Sequence, residues 1–447
     1  MERIRRCGVQ SNRKAKGGTM KTSSVRFYTL GGVLIVAALW VSAQGLPISP
    51  AKPSDHAPPA KNSRSGKGRE TEPLSPVVQK GLDWLAKAQH EDGGWGAGSH
   101  AAQGIRDPHA VKTDPATTAF AAQALLRAGA YPESVARATD YLVRAVETSP
   151  EAGALITDIH DTQPQVKLGP YIDTALTAQF LSRVLADLPK DGERHRRVAA
   201  SLNGCIKKLQ GAQLSDGSWG SRTGWAPVLQ SSLATSALEM ATVAATVVDP
   251  ASLERARAFQ QGQFDAATGR GSGEGAAGVE LYSVASAKRA NAAMSRAAKE
   301  LIEAARVKGD LPENAEVNEE NLRASGVPGG VAGGLADAYR ASDLQSGRLQ
   351  EDELLRGFGT NGGEEYLSYM QTSEALVIEG GDAWDEWKAS MFAKLEKIQG
   401  PDGSWTGHHC ITSPVFSTAA VLQTLTADRD TELLVEAAKL TTGTGEK

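Results

Sequence analysis

A seven-residue motif occurs three times in this chain of 447 residues and limits how the chain can fold. Its pattern is Gln-x-x-Asp-Gly-(Gly or Ser)-Trp, and the copies span residues 89–95, 213–219 and 399–405. The second copy begins 124 residues after the first, and the third begins 186 residues after the second. Both intervals are multiples of 62. We therefore infer a repeated unit of about 60 residues, with the motif in the first, third and sixth units.

The sequence around each motif predicts a pair of helices. An amphipathic run such as residues 77–89 precedes the motif, with apolar side chains at helical spacing. The Asp-Gly pair ends this helix, because glycine tolerates the left-handed backbone of a helix end. A second run, rich in small residues and apolar on all sides, follows the motif, and such a helix is normally buried. Each unit thus consists of an outer helix, a Gly-Trp loop and an inner helix.

Six inner helices are predicted, and they begin near residues 114, 173, 230, 280, 365 and 415. No β-type alternation of any length occurs, so the predicted fold class is all-α, with six helical hairpins across residues 77–440. The interval between the fourth and fifth inner helices is longer than the others. Its residues 307–362 are rich in Gly, Asn, Glu and Pro, which predicts an insertion or lid.

The motif resembles the QW motif of squalene/hopene cyclases and the repeats of protein prenyltransferase β subunits. The resemblance covers residues 77–440 and implies an (α/α)6 toroid, in which six outer helices surround six inner helices and a central cavity. In that superfamily the Gln and Trp side chains join outer-helix ends to neighbouring repeats. The resemblance therefore implies structural roles for Gln89, Trp95, Gln213, Trp219, Gln399 and Trp405.

The catalytic signatures of the best-known relatives are missing from the sequence. It has no DxDD or DDxxD motif, no Cys-Gly-Glu-Gln thioester motif and no Asp-x-Cys zinc pair. Aromatic residues make up only 5% of the chain, which is few for an enzyme that stabilises carbocations against aromatic faces. The resemblance therefore predicts the fold and leaves the activity open.

Polar residues near the starts of the inner helices are the candidate site residues, because these starts open toward one end of the toroid. Each alone also suits a helix cap or the positive end of a helix dipole. Together they would form a ring of carboxylates and tyrosines, in which Asp173 and Glu365 are candidate acid–base catalysts. The candidate ligand-binding residues are Asp114, Tyr171, Glu280, Tyr282, Glu364 and Tyr366.

A second cluster, His408-His409-Cys410, follows the third motif. The two histidines are candidate acid–base catalysts. His409 and Cys410 are candidate ligands of a zinc ion, with a carboxylate from another helix. The alternative is a loop whose histidines bond to neighbouring helix ends, with Cys410 buried as a small apolar residue. Cys205 and Cys410 could also pair if the body reaches an oxidising compartment.

The N-terminal segment predicts export. Residues 30–41 form an apolar stretch of 12 residues, shorter than the roughly 20 of a spanning helix. Basic residues precede it, and Val41-Ser42-Ala43 is typical of a signal-peptide cleavage site. An uncleaved anchor is the alternative, and translation could start at Met1 or Met20. Export would make the body periplasmic or secreted, with membrane contact only through an uncleaved N-terminal segment.

The composition of the remaining segments predicts a linker and a tail, and the charge of the body limits its partners. Residues 44–76 contain seven of the 20 prolines and predict a disordered linker, and residues 441–447 a short tail. Residues 1–43 hold eight basic residues and one acidic residue, which leaves 40 basic and 51 acidic residues, a net charge of −11, in the body. A body of this charge argues against a nucleic-acid partner.

Three functions agree with the sequence. The first is the binding, or the binding and transformation, of an apolar or isoprenoid-like small molecule in the central cavity. The second is a carbohydrate-active lyase or hydrolase, which would need an open, carboxylate-rich cleft. The third is a non-catalytic scaffold of the cell envelope, for which the central channel would be filled.

Overall fold

The computed structural model describes residues 73–220 and 224–439, all within one compact unit, residues 57–441. The predicted signal peptide, nearly all of the predicted linker, and the tail lie outside the described residues. Within these residues, no helix has both the length and the apolar character that crossing a bilayer requires.

The described chain is almost entirely helical, with one small hairpin formed by β1 (Phe264–Asp265) and β2 (Arg270–Gly271). Short 3-10 turns span His100–Ala102, Pro108–Ala110 and Ala427–Asp430. The α-helices are α1 (Pro76–Lys87), α2 (Pro115–Ala128), α3 (Pro132–Thr148), α4 (Gln163–Lys167), α5 (Ile172–Asp187), α6 (Glu193–Ala212), α7 (Pro227–Val243), α8 (Pro250–Gln261), α9 (Glu280–Lys308), α10 (Glu319–Ala324), α11 (Gly329–Arg348), α12 (Asp352–Leu355), α13 (Gly363–Glu379), α14 (Ala383–Glu396), α15 (Pro414–Leu425) and α16 (Thr431–Ala438).

Six of these helices form a closed inner ring. α2, α5, α7, α9, α13 and α15 each pack on the next, and α15 packs back on α2. Outside the ring, α1, α3, α6, α8, α11 and α14 each pack against inner helices. The all-α class and the toroid of six hairpins are thereby confirmed. Every inner helix begins within three residues of its predicted start.

Residues 307–362, the predicted insertion or lid, are largely helical. They contain α10, α11 and α12, and α11 packs along α9 in the place of an outer helix. The second half of α9 extends past the ring and shares a small separate core with α10 and α11. Four glycines among the first six residues of α11 hid its helical period, because glycine disfavours a helix by about 1 kcal/mol.

The three motif loops have the same hydrogen bonds. Each tryptophan is buried, and its indole N–H donates over 2.8 Å to a leucine carbonyl of the preceding outer helix. Each tryptophan backbone N–H donates to a Thr or Ser hydroxyl of the following inner helix. The tryptophan therefore fixes the angle between the outer and inner helices of its own unit.

The motif glutamines connect different units. Gln89 Nε2 donates to the carbonyl oxygen of Gly93 in its own loop and to that of Ser134 in α3. Gln213 makes the same link to Ser252 in α8. Gln399 donates to Val77 in α1 over 2.9 Å, so the last unit is bonded to the first. The structural roles implied for the motif residues agree with these bonds.

The motif glycine is required by the same contact. Gly403 has φ of 99°, and a Cβ there would lie 2.6 Å from the carbonyl oxygen of Lys80 in α1. Gly217 repeats this approach against Arg255 in α8. Any side chain at these positions would separate neighbouring outer helices, so glycine is needed for both the backbone angle and the space.

We expect Gln399→Ala to destabilise the toroid by about 1–3 kcal/mol, because it leaves the carbonyl oxygen of Val77 without its side-chain donor. Urea unfolding followed by circular dichroism measures the change. Gln350→Ala is the matched control, since Gln350 is exposed and lies outside the motif loops, and it should cost less than about 0.5 kcal/mol. Equal effects of the two substitutions would contradict the closing role of Gln399.

Candidate functional site

The inner helices begin at one end of the ring, which we call the mouth, and end at the other, which we call the base. Loops from several units meet at the mouth around residues 406–413. Gln103 donates to the carbonyl oxygen of Cys410, and Arg106 donates to that of Thr412. The His408 backbone N–H donates to the carbonyl oxygen of Asn361 over 2.8 Å. Segment 406–413 is therefore held at the mouth by loops from other units.

Asp114 and Asp173 lie side by side and are buried. Asp114 caps α2 through the backbone N–H of Thr117 at 2.8 Å, and it also accepts from Ala97. Asp173 accepts from the backbone N–H of Ala116 and from Gln165 Nε2. Burial raises the pKa of both carboxyls, and the neighbouring charge of Asp114 raises the pKa of Asp173 further. Asp173 thus joins the first two inner helices, and Asp114 joins α2 to the loop that follows the first motif.

Glu365, a predicted catalyst, holds the loop that precedes α13. Its carboxylate accepts from the Tyr282 hydroxyl at 2.6 Å. It also accepts from the backbone N–H groups of Phe358 at 3.0 Å and Gly362 at 2.8 Å. Glu365 is fully buried. Its hydrogen bonds are made to the protein itself, so the geometry favours a positioning role for Glu365 and Tyr282.

Glu364, which is buried, and Cys410, which is half-buried, form a second acidic pair at the mouth. The Glu364 carboxyl accepts from the backbone N–H of Ile411 at 3.2 Å and is hydrogen-bonded to the Cys410 thiol. Burial, followed by the charge of Glu365, raises the pKa of Glu364 to about 8. Burial and then Glu364 raise the pKa of Cys410 to about 12. Glu364 is therefore largely protonated at neutral pH, and Cys410 is a thiol and not a thiolate.

The two histidines of the mouth bond to the loop before α13. His408 is exposed, and its Nδ1 lies 3.3 Å from the carbonyl oxygen of Asn361. His409 Nε2 bonds to the carbonyl oxygen of Thr360 and lies 3.7 Å from Glu365. Both imidazole rings therefore lie against backbone carbonyl oxygens of the loop before α13.

The predicted zinc site has no complete set of ligands. Within residues 73–220 and 224–439, no three His, Cys, Asp or Glu side chains are arranged to hold a metal ion. Zinc in proteins normally has three or four such ligands. Cys205 is buried in α6, and both Cys205 and Cys410 are free thiols, so the pairing considered from the sequence is not formed.

Three predicted residues do not join these groups. Glu280 binds Arg348 over 3.0 Å at the outer side of α9. The backbone N–H of Tyr171 donates to Gln230 Oε1 over 2.7 Å. Tyr366 is buried and packs edge-on against Tyr369. All three residues lie near the starts of inner helices, and their side chains belong to separate contacts.

Sequence reasoning missed α4, which crosses the mouth. Gln163 accepts from the backbone N–H of Thr412 at 2.6 Å, and Lys167 Nζ lies 4.2 Å above the Trp225 ring. The available signal was Thr162-Gln-Pro-Gln165, which forms a capping box at the start of α4. Its five residues were too short to show a helical period.

The base is closed by the C-terminal segment and a buried group of charges. Asp430 binds Arg127 and Arg183, which end α2 and α5. Burial opposes ionisation of Asp430, but Arg183 and Arg127 hold its pKa below the usual range. The network continues through Glu374, Arg289 and Glu239 on α13, α9 and α7. The charged residues of the base therefore neutralise one another.

The centre of the ring differs from the predicted cavity. Every residue of α13 and α15 is buried, as are nearly all residues of α2 and α5. An open channel would expose one stripe of each inner helix, so side chains fill the axis. The mouth carboxylates are buried too, and they do not form the open cleft that the carbohydrate hypothesis requires.

Two pockets stand out in the described part of the chain, and neither lies inside the ring. One is an open groove of about 740 Å³ beside the first motif, lined by polar groups including His90, Asp92, His109 and Tyr141. The other, which we call the unit-five pocket, has a volume of about 440 Å³ and lies between α12, α13 and α14. Its lining is Asp352, Leu355, Arg356, Asn361, Tyr369, Met391, Lys394, Leu395 and Ile398.

Comparison with known families adds to this geometry. Residues 67–161 match the model of the squalene-hopene cyclase C-terminal domain. The match covers the first motif, and the second and third motifs reproduce its hydrogen bonds. The predicted resemblance to the superfamily of squalene-cyclase and prenyltransferase-repeat toroids is thereby confirmed.

No curated protein matches the chain. Among solved structures, it is similar to the type II terpene cyclase MstE from Scytonema. A variant of MstE in complex with geranylgeranyl dihydroxybenzoate is 14% identical, with a TM-score of 0.41, over 79% of this chain and 97% of that chain. MstE without ligand is 13% identical, with a TM-score of 0.41, over 78% and 96%.

We expect Glu364→Gln to reduce the pH dependence of stability. The raised pKa of Glu364 means that the folded state binds the proton more tightly than the unfolded state. Stability from this group is therefore complete below the ordinary pKa of glutamate and is lost as pH rises toward about 8. Urea unfolding at acidic, neutral and mildly alkaline pH measures this loss. The exposed Glu254→Gln should retain the wild-type dependence, and an unchanged dependence in Glu364→Gln would refute the assignment.

Proposed function

We propose that this protein binds a small, largely apolar, isoprenoid-like molecule in the unit-five pocket and not at the centre of the ring. The observation that carries this proposal is a pocket of about 440 Å³ with an apolar floor and a polar rim, beside a filled ring. Sites for small molecules are typically concave, with apolar walls, a few polar groups and a volume of about 300–1,000 Å³. The volume and the floor of the unit-five pocket agree with such a site.

The floor of the unit-five pocket is rigid and apolar. Leu355, Met391 and Leu395 are buried and line it. Tyr369 is buried as well, and its hydroxyl donates to the carbonyl oxygen of Leu355 at 2.6 Å. The phenol ring is therefore fixed and presents apolar surface to a ligand. Ile398 lies at the rim and is 41% exposed, so a ligand chain would cover it.

Ancestry supports the class of ligand. The family model that matches residues 67–161 describes a domain of squalene-hopene cyclases, enzymes named for an isoprenoid hydrocarbon. The proposal keeps this apolar class of ligand and does not include the cyclisation reaction. It assigns binding, because the acidic groups of the mouth are buried behind loops.

We expect geraniol to bind the purified body, residues 44–447, and Ile398→Glu to weaken this binding about fivefold or more, because apolar contact at the rim is lost. Isothermal titration calorimetry measures the affinity. Val307→Glu is the matched control, since Val307 is 79% exposed and distant from the pocket lining, and it should bind like the wild type. Absence of geraniol binding to the wild type would exclude the proposed function.

One observation favours the scaffold as the second candidate. Three exposed apolar side chains are placed on mouth loops: Ile105 at 41%, Trp225 at 47% and Phe358 at 55% exposure. Trp225 lies over Lys167, and the Phe358 ring is 5.4 Å from the His409 ring. A filled ring with an apolar mouth surface fits a docking role for this end of the toroid. If geraniol does not bind, the scaffold becomes the favoured function.

We also propose that the protein acts outside the cytoplasm, on the basis of its N-terminal sequence. Cleavage after Ala43 should give a mature chain that begins at Gln44. N-terminal sequencing of the protein from fractionated cells measures this. Recovery of an intact N-terminus in the membrane fraction would instead support the anchor, and recovery in the cytoplasm would exclude export.

A further inference from the structure

We infer that the ligand of the unit-five pocket carries an anionic head group, a carboxylate or a phosphate ester, that binds Arg356 at the rim. The inference rests on the proposed function, because it assigns the polar end of the same ligand. It deepens that proposal from an apolar molecule to an amphipathic anion with a single short chain.

The pocket lining holds two cations and one carboxylate, and the carboxylate forms its hydrogen-bonded ion pair with Lys394. Lys394 Nζ binds Asp352 at 2.7 Å, so these two charges offset each other. Arg356 uses its Nε to donate to the backbone carbonyl oxygen of Asp352 at 3.3 Å. Among residues 73–220 and 224–439, its two terminal nitrogens have no hydrogen-bond partner. The lining therefore has an excess of one positive charge, carried by the free end of Arg356.

The position of Arg356 suits a head group and not a buried counter-ion. Arg356 is exposed and follows α12, whose Leu355 belongs to the apolar floor. A guanidinium group offers paired N–H donors in a plane, and these match the oxygens of a carboxylate or phosphate. A chain lying on Leu355, Met391 and Leu395 would thus leave its charged end at the solvent edge, where ionisation costs little.

The volume of the pocket favours a free single-chain molecule over a membrane lipid. About 440 Å³ lies near the lower end of the range for small-molecule sites. Two acyl chains of a phospholipid would need more room than the pocket offers. The ligand class is therefore a short isoprenoid or aliphatic acid or monophosphate.

Geraniol and geranic acid test this inference, because they share a carbon skeleton and differ in the head group. We expect geranic acid to bind the wild-type body about three- to tenfold more tightly than geraniol at low salt, as a charge-assisted hydrogen bond at an exposed site would give. Arg356→Gln should remove this advantage, so that the variant binds geraniol and geranic acid with equal affinity. Arg340→Gln, an exposed arginine on α11 outside the pocket lining, should behave like the wild type.

The possible outcomes are distinct. Equal affinity of the wild type for geraniol and geranic acid would overturn the anionic head group and leave the proposed function standing. Binding of neither molecule would overturn both. An advantage for geranic acid that persists in Arg356→Gln would overturn the role of Arg356. Binding of vesicles containing phosphatidylglycerol, without binding of free geranic acid, would overturn the assignment of a free single-chain ligand.

Discussion

The hydrogen bond from Gln399 to the carbonyl oxygen of Val77 joins the last outer helix to the first, and the closed ring depends on such links. A linear array of repeats would leave two apolar ends that need caps. Here, the motif glutamine makes the same bond in both places. Gln89 joins units one and two by donating to Ser134, and Gln399 joins units six and one by donating to Val77. Closure therefore uses the same hydrogen bond as every other joint with a motif glutamine, and it needs no special capping sequence at either end.

Closure also determines what the ring can contain. Small residues on the inner helices allow close approach, and the resulting ring is filled by its own side chains instead of a ligand. Its base adds an ionic network of Arg127, Arg183 and Asp430, and buried networks of this kind are seldom a net source of stability. Removing one partner is nevertheless costly, because a buried charge remains. The network thus fixes where the C-terminal segment binds.

The sequence predicted the fold well, because motif and helical period are local signals. The six starts of the inner helices could be read from them, and the family resemblance of the motif implied the roles of Gln89 and Trp95. The helix α11 could not, since its glycines weaken the very signal that identifies a helix. The unit-five pocket could not be predicted either. Its floor joins Leu355, Tyr369 and Leu395 from three helices, and such convergence depends on packing that no short pattern contains.

The candidate site residues show why residue type alone was insufficient. Glu364 and Asp173 lie at the mouth as expected, but burial determines their chemistry by keeping the protonated forms. A protonated acid is useful to a reaction only where a substrate can reach it, and here loops cover both groups. Arg356 has the opposite properties, with an exposed charge beside an apolar concavity. A side chain can recognise a ligand only where the ligand can reach it, and in this toroid that place is the unit-five pocket beside the ring.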